Sequence, residues 1–255
     1  MIKHMVVGGD SLGCGQELKD RNSRYFKLIS DRFDVELSDT CVPGLNNEMI
    51  CRYTIDAVNE LLYEKNIDFS KILVCVTFSY PDRIVFFNKK SNTFLSLHPG
   101  LFRERPNAPK TLYHHILNYF PIEILPSDVE NYYNSQKSII YFQYNLINWI
   151  YFLQLFLEKK NIKYIFAFND KHTFDYLITD QSILSNKQMD NLSRTPTLKH
   201  IQKDINYDLI FTESIEEITN KNKYSRGPGN HPLEKAHLEY SKLLGDFIQE
   251  KIFND

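Results

Sequence analysis

Cysteine is scarce in this chain of 255 residues, and its four copies show neither metal-binding nor redox spacing. No Cys-x-x-Cys pair occurs, so neither a structural zinc site nor a dithiol redox site is expected. Cys14 and Cys75 lie near predicted strand ends and Cys51 on a predicted helix face, where buried free thiols are usual. Together with Cys41 they suit a reducing compartment.

The chain also lacks an excess of charge of either sign. It has 30 basic and 32 acidic residues and a formal net charge of −2. Binding to a nucleic-acid backbone normally needs a basic excess, so neither nucleic acid nor a membrane surface is an expected partner. Only residues 1–4 precede the first predicted strand, which leaves no room for a secretory signal, and we therefore expect a cytoplasmic protein.

Long uninterrupted apolar runs are missing too. Polar residues interrupt the most apolar stretch, residues 139–157, at Gln143, Asn145, Asn148 and Gln154. Because a membrane span needs about 20 predominantly apolar residues, this stretch predicts a buried amphipathic helix instead. We expect that helix to run from 127 to 160 and its surplus apolar face to be a candidate homodimer contact.

What the chain does contain is an alternation of apolar strands and amphipathic helices. In chain order these are a strand at 5–7, a helix at 22–32, a strand at 35–37, a helix at 46–65, strands at 71–78 and 164–168 around the helix at 127–160, a strand at 208–211 and a helix at 232–253. Such alternation forms βαβ units and a parallel sheet. The sequence predicts one domain over residues 1–255, a three-layer α/β/α sandwich with a mostly parallel five-stranded sheet.

Residues 84–126 interrupt this alternation. Two short apolar runs, 85–87 and 93–95, flank a polar stretch and predict a hairpin. A proline-containing stretch and a short helix at 111–119 follow. Two interpretations of the insertion stand: a substrate cap near the mouth of the site, or a surface excursion without a part in function.

The first strand ends in a glycine-rich turn, Gly8-Gly9-Asp10-Ser11-Leu12-Gly13. Ligands bind at the carboxyl ends of strands in open α/β sheets, and glycine lets the backbone turn sharply there. Ser11 is therefore a candidate nucleophile, although a serine in such a turn is often only a cap or turn partner. The turn lacks the third glycine of a dinucleotide fingerprint and the Lys-Ser/Thr of a P-loop.

Four stretches resemble, in order, the sequence blocks of the SGNH (GDSL) hydrolases. The matching stretches are Gly9-Asp10-Ser11-Leu12, then Gly44 with Asn46 and Asn47, then Ser79 to Arg83, and finally His231-Pro232. The resemblance brackets residues 5 to about 248 and is to divergent viral or bacterial, phage-like members. It implies the α/β/α fold and an esterase whose serine attacks the ester.

The resemblance also implies roles for single residues. Ser11 would be the nucleophile and His231 the base that takes its proton. The backbone N–H groups of Ser11 and Gly44 would stabilise the oxyanion, with the side chain of Asn46 or Asn47 as a further donor. The full implied set for oxyanion and substrate binding is Asp10, Gly44, Asn46, Asn47, Ser79, Arg83 and Asn230.

The chain departs from the family pattern where the acid of the triad belongs. The positions two and three before His231 hold Gly229 and Pro228, and the adjacent Asn230 can orient the ring only as a neutral partner. Another carboxylate must serve or turnover is slow, since corrupting the acid lowers kcat by about 10⁴ in serine proteases. The candidates are Asp170, which follows a predicted strand and is the one assigned to the site, Asp10 and Glu234.

The third block departs as well. In place of Gly-x-Asn-Asp stands Ser79-Tyr80-Pro81-Asp82-Arg83, which resembles a Ser-x-Pro-x-Arg variant of some viral and bacterial relatives. Two interpretations of Arg83 stand. Its guanidinium recognises an anionic substrate, or it pairs with Asp82 or another carboxylate as part of the structure.

The resulting prediction is a serine hydrolase that cleaves an acyl or acetyl ester of a small molecule or carbohydrate, without cofactor or metal. His231 and His237 do not share a helix face, which makes them a poor metal site. Two alternatives stay open. One is a binding module for a carbohydrate or nucleotide that has lost catalysis, motivated by the two departures. The other is a phosphoester hydrolase, suggested by Arg83 and the N–H-rich turns.

Overall fold

The computed structural model describes residues 1–81, 83–88, 93–97, 139–178 and 201–254. Its strands are β1 (His4–Gly8), β2 (Glu36–Asp39), β3 (Ile72–Phe78), β4 (Ile84–Asn88), β5 (Thr93–Leu97) and β6 (Lys163–Phe168). Its helices are α1 (Tyr25–Phe33), α2 (Asn47–Asn59), α3 (Ile139–Lys159), α4 (Lys171–Ile178), α5 (Ile215–Lys221) and α6 (Glu234–Ile248).

The main sheet has the strand order β2-β1-β3-β6, and each neighbouring pair is parallel. Successive residues of a strand point to opposite faces. Val6, Val74 and Phe166 therefore join one buried cluster with α2 and α3. Met5, Cys75, Ile165 and their neighbours on the strands join a second cluster with α1, α5 and α6. The α/β/α fold class is confirmed, with helices on both faces of a parallel sheet.

The fifth strand is shorter than expected. Tyr207–Leu209 form a 3₁₀ turn, and Ile210 then makes a single parallel bridge to Phe166 of β6. The N–H of Phe211 donates to the Phe166 carbonyl at 2.8 Å. The segment thus lies beside β6 where a fifth strand belongs, but the 3₁₀ turn takes up most of the residues that would have extended the ladder.

Helix ends follow local hydrogen bonding. The sequence offers Asn46 and Asn47 as candidate caps of α2, and the Asn46 side chain is the one that caps it, accepting the Met49 N–H at 2.9 Å. The last helix begins at Glu234 and not at Pro232, because Pro232 bridges to Arg226 and Leu233 is the N-cap. The predicted helix at 22–32 starts late as well, at Tyr25, after a 3₁₀ turn.

The predicted hairpin within the insertion is confirmed, since β4 and β5 pair antiparallel. The remainder of the insertion and residues 127–138 of the predicted long helix lie outside the described residues. On α3 the side chains of Phe152 and Leu155 are exposed, and the homodimer contact stays a prediction. Within the described ranges, no helix has the length and apolarity needed to cross a membrane.

The close contact between β1 and α2 makes a stability prediction at Gly8. A Cβ on Gly8 would lie 2.3 Å from the Thr54 hydroxyl oxygen, and Thr54 is fully buried. We expect Gly8→Ala to lower the free energy of unfolding by about 1–3 kcal/mol, the usual cost of overpacking. Urea denaturation measures this. In a Thr54→Ala background the cost of Gly8→Ala should shrink, and an equal cost in both backgrounds would contradict the contact.

Candidate active site

The strand order reverses direction at β1. From β1 the chain passes to β2 on one side, while β3 and β6 lie on the other side. In open α/β sheets, ligands bind in the crevice outside the carboxyl ends of the strands at such a point. Ser11, Ser79 and Asn169 follow β1, β3 and β6 at this edge of the sheet. The fold therefore brings the first and third sequence blocks to one place, beside the end of β6.

Ser11 lies in a tightly wound turn. The N–H of Cys14 donates to the Asp10 carbonyl at 3.0 Å, and the N–H of Gln16 donates to the Ser11 carbonyl at 2.9 Å. The Ser11 residue is 7% exposed. Its hydroxyl makes no hydrogen bond to any described residue, and the hydroxyl oxygen is not completely buried. The hydroxyl is therefore held on a hydrogen-bonded turn without a partner of its own among the described residues.

The carboxylate of Asp10 is fully buried beneath this turn, where it accepts three hydrogen bonds and forms an ion pair with Arg83. Its Oδ1 accepts the Leu12 N–H at 3.0 Å and the Asn169 amide at 2.7 Å. Its Oδ2 accepts the Ser79 hydroxyl at 2.7 Å and forms an ion pair with Arg83 Nη1, also at 2.7 Å. Because its acceptor positions are filled by donors from three loops, Asp10 joins the loops and is not available to orient a histidine.

His231 contacts the Ser11 turn through Glu17. The ring Nδ1 of His231 lies 2.9 Å from Glu17 Oε2, and both side chains are about four-fifths buried, at 18% and 19% exposed. Glu17 comes directly after Gln16, the residue bonded to the Ser11 carbonyl. The tertiary fold thus joins the C-terminal histidine to the N-terminal turn that carries the candidate nucleophile.

Two glycines let the Glu17 carboxylate reach the backbone of the histidine loop. Glu17 accepts the N–H of Gly229 and the N–H of His231, the first at 2.5 Å and the second at 3.2 Å. A Cβ on Gly227 or Gly229 would lie 2.4 or 2.8 Å from a Glu17 carboxylate oxygen. Glu17 itself has φ +71°, a left-handed conformation uncommon outside glycine. Backbone strain of this kind clusters at functional sites.

The charge state of Glu17 follows from these contacts. Partial burial raises the pKa of the carboxyl group, but the hydrogen bonds from Gly229 and His231 and the charge of the His231 ring outweigh it. The net result is a Glu17 pKa below its ordinary value. Glu17 is therefore ionised at neutral pH, and its carboxylate fixes the Nδ1–H tautomer of the ring. That tautomer leaves the other nitrogen, Nε2, able to accept a proton.

The carboxylate at the His231 ring is Glu17 and none of the three expected from the sequence, Asp10, Asp170 and Glu234. Asp10 is taken up by the loops, as described above, and Asp170 accepts the Thr173 N–H at 2.9 Å at the start of α4. Glu234 accepts the Lys19 N–H at 3.1 Å. Asn230 is exposed, and its backbone carbonyl accepts a bond from Arg226. Glu17 was missed because it lies 214 residues away from the histidine, beside the first block and not the last.

A signal for Glu17 was nonetheless present in the sequence. Two of the four residues before His231, Gly227 and Gly229, are glycines, which indicates that another group approaches the backbone there. Between β1 and α1, the acidic residue nearest to Ser11 apart from Asp10 is Glu17. The two patterns together would have made Glu17 a candidate.

The proposed oxyanion donors fall into two groups. The N–H groups of Ser11 and Gly44 make no hydrogen bond to the described residues, and the space beside the Gly44 Cα is open. Asn46 Oδ1 caps α2, while Asn47 uses its amide on the backbone of Ser79, donating to the carbonyl at 3.1 Å and accepting the N–H at 2.7 Å. Asn47 therefore has a structural partner, whereas the Ser11 and Gly44 N–H groups remain available.

Ser11 and His231 do not hydrogen bond to each other in the described structure. Catalytic hydrogen bonds are often long without substrate and tighten in the complex. Cys14, the other nucleophilic side chain of the turn, donates to the Ser11 carbonyl, and burial raises the pKa of its thiol to about 11. At neutral pH Cys14 is a protonated, buried thiol, so Ser11 is the better candidate nucleophile. Cys51 and Cys75 are buried free thiols, as expected.

Comparison with known proteins gives structural neighbours and no sequence relatives. No family model matches the chain, and no curated protein matches it either. Among solved structures, the psychrotrophic esterase EstA from Pseudoalteromonas sp., inhibited by monoethylphosphonate, is 16% identical with a TM-score of 0.50, and the match covers 99% of this chain and 100% of that one.

Two further neighbours are TesA and a lipolytic protein of the G-D-S-L family from Veillonella parvula. TesA is 13% identical with a TM-score of 0.47, covering 97% of this chain and 99% of its own. The Veillonella protein is 9% identical with a TM-score of 0.45, covering 98% of each chain. The likeness to EstA shows the fold. The described residues of this chain have the α/β/α fold that the resemblance to the SGNH hydrolases predicted.

Proposed function

We propose that this protein is a serine hydrolase that cleaves acyl esters of a small molecule or carbohydrate. Ser11 attacks the ester carbonyl, and His231 Nε2 takes the hydroxyl proton and later returns it to the leaving alcohol. The N–H groups of Ser11 and Gly44 stabilise the oxyanion. A water molecule then attacks the acyl-enzyme. His231 takes a proton from this water and gives it to the Ser11 oxygen as the carboxylic acid leaves.

One observation carries the proposal: a largely buried carboxylate holds the His231 ring against the turn that bears Ser11. A nucleophile, a base and a group that orients the base are the three parts of an acyl-transfer site. The sequence offered the first two without the third, and Glu17 supplies it at 2.9 Å from Nδ1. EstA, with a similar fold, is an esterase inhibited by a phosphonate, which supports the same reaction class and the choice of probe.

The contacts of Arg83 favour an ester over a phosphoester substrate. Its Nη1 is already bonded to Asp10 and to the Leu45 carbonyl. A guanidinium that pairs with a buried carboxylate is a weak receptor for a second anion, because its charge is largely compensated. We therefore take the uncharged acyl ester as the substrate class, and the binding module without turnover as the alternative that the test separates.

Labelling with a fluorophosphonate tests the proposal. We expect one covalent adduct, located on Ser11 by peptide mass spectrometry, together with hydrolysis of short p-nitrophenyl esters and no hydrolysis of p-nitrophenyl phosphate. Ser11→Ala should abolish both the adduct and the turnover, while Cys14→Ala should retain them. Labelling that survives Ser11→Ala, or a folded wild-type protein that never reacts, would overturn the assignment.

A further inference from the structure

Arg83 and Asp10 form a buried ion pair beyond the carboxyl ends of β1 and β3. Arg83 Nη1 lies 2.7 Å from Asp10 Oδ2, and the two side chains are 8% and 0% exposed. Taking both charges out of water is costly and needs further hydrogen bonds to compensate it. Asp10 has them, from Leu12, Ser79 and Asn169. Arg83 Nε is buried without a hydrogen-bond partner among the described residues, so Nη1 makes the polar contacts through which the pair restrains the backbone.

The same guanidinium nitrogen also contacts the second block. Arg83 Nη1 donates to the Leu45 carbonyl at 2.9 Å. Leu45 follows Gly44, whose N–H is a proposed oxyanion donor, and Asp10 precedes Ser11, whose N–H is the other. A single nitrogen atom therefore links the two loops that carry the donors. In each loop it contacts the residue next to the donor.

We propose that Arg83 is a positioning residue that sets the separation between the Ser11 and Gly44 oxyanion donors. This inference rests on the proposed hydrolase function. Oxyanion donors act only when they lie about 2.7–3.1 Å from the position of the developing oxyanion, so their mutual spacing limits the rate.

The chemistry of the side chain explains why arginine is needed. The planar guanidinium presents donors in fixed directions, so Nη1 can serve a carboxylate and a carbonyl together while the plane is held. The Cζ of Arg83 also lies over the Tyr80 ring, 5.3 Å from its centre, and this cation–π contact helps to hold the guanidinium in place. A lysine ammonium would keep the charge beside Asp10 but is a flexible point donor without this fixed geometry.

The kinetic test uses Arg83→Lys, which preserves the buried positive charge and so avoids an unpaired Asp10. We expect kcat for a short acyl ester to fall about 10- to 100-fold, as for a misplacement of about 1 Å, with KM nearly unchanged. Fluorophosphonate labelling of Ser11 should slow by a similar factor. The matched control is Arg52→Lys, because Arg52 lies on α2 in an exposed pair with Glu48 and should retain wild-type rates.

The outcomes separate the possible roles of Arg83. A rise in KM confined to anionic esters, with kcat unchanged, would assign Arg83 to substrate recognition and overturn the positioning role. Unchanged kcat, KM and labelling rate would overturn it as well. A loss of rate matched by a loss of cooperative unfolding would mean that Arg83 only stabilises the fold.

A second measurement separates this proposal from the failure of the proposed function. Amide NMR spectra of the wild type, Arg83→Lys and Arg52→Lys report the backbone at Gly44 and Ser11 without requiring turnover. We expect shifted Gly44 and Leu45 resonances and faster amide exchange in Arg83→Lys alone. If the wild type shows neither labelling nor turnover, the hydrolase assignment fails. If the Gly44 resonances and exchange are unchanged in Arg83→Lys, the positioning role fails whatever the activity.

Discussion

Glu17→Gln is expected to lower kcat by about 10²–10⁴-fold while leaving KM within a few-fold, since amide replacement of the triad acid acts on the tautomer of the base. The substituted amide keeps the size of the Glu17 side chain and can still accept the N–H of Gly229. The substitution removes the charge that favours the Nδ1–H form of His231. Steady-state kinetics on a short acyl ester, together with the rate of fluorophosphonate labelling, measures the effect.

The control for this prediction is Asp170→Asn. Asp170 accepts the Thr173 N–H at the start of α4, a role that asparagine also fills, so kcat should stay at the wild-type value. A large loss in Asp170→Asn with normal activity in Glu17→Gln would restore the assignment made from the sequence. Amide exchange in residues 227–231 shows whether the histidine loop keeps its place in Glu17→Gln.

The second large effect is a pH dependence of stability that originates at His237. This side chain is 1% exposed, its Nδ1 accepts the Tyr25 N–H at 3.3 Å, and its ring stacks on the Tyr25 ring. Burial lowers the pKa of His237 from 6.5 to about 4, against the opposing charge of Glu234 and the Pro232 carbonyl. The nearby His231 ring acts in the same direction as burial.

The direction of the pH effect follows from proton uptake. Between pH 6.5 and 4 the unfolded chain binds a proton at His237 that the folded chain does not. The stabilising contribution is therefore complete above pH 6.5 and is lost as the pH falls towards 4. The difference between the two pKa values corresponds to about 3 kcal/mol, a factor of roughly 300 in the folding equilibrium.

Urea denaturation from about pH 7.5 to about pH 4 measures this contribution, with His237→Asn as the reference. The asparagine Oδ1 replaces Nδ1 as acceptor for the Tyr25 N–H but does not titrate in this range. We expect the difference in unfolding free energy between wild type and His237→Asn to change by about 3 kcal/mol across the window. A difference that stays constant with pH would mean that His237 takes up its proton over the same pH range in the folded and the unfolded chain.

Much of the fold could be predicted because a strand that is buried on both faces consists of consecutive, mostly apolar residues. Residues 72–78 are all buried and form one continuous apolar run, which identified β3 directly. The asparagine before α2 predicted its cap. The segment at 208–211 was harder, since its β-branched and aromatic pattern suits a strand but a 3₁₀ turn takes its first residues.

The sequence by itself determined the parallel α/β/α architecture and the position of Ser11, because strand periodicity and turn composition act over a few neighbouring residues. Only the tertiary structure decided which carboxylate meets the His231 ring and what Arg83 binds. Those contacts join Glu17 to a residue 214 positions later, and Asp10 to the loop that follows a different strand. Contacts between distant segments depend on the packing of the whole sheet edge. The local sequence pattern does not show which distant segments that packing brings together.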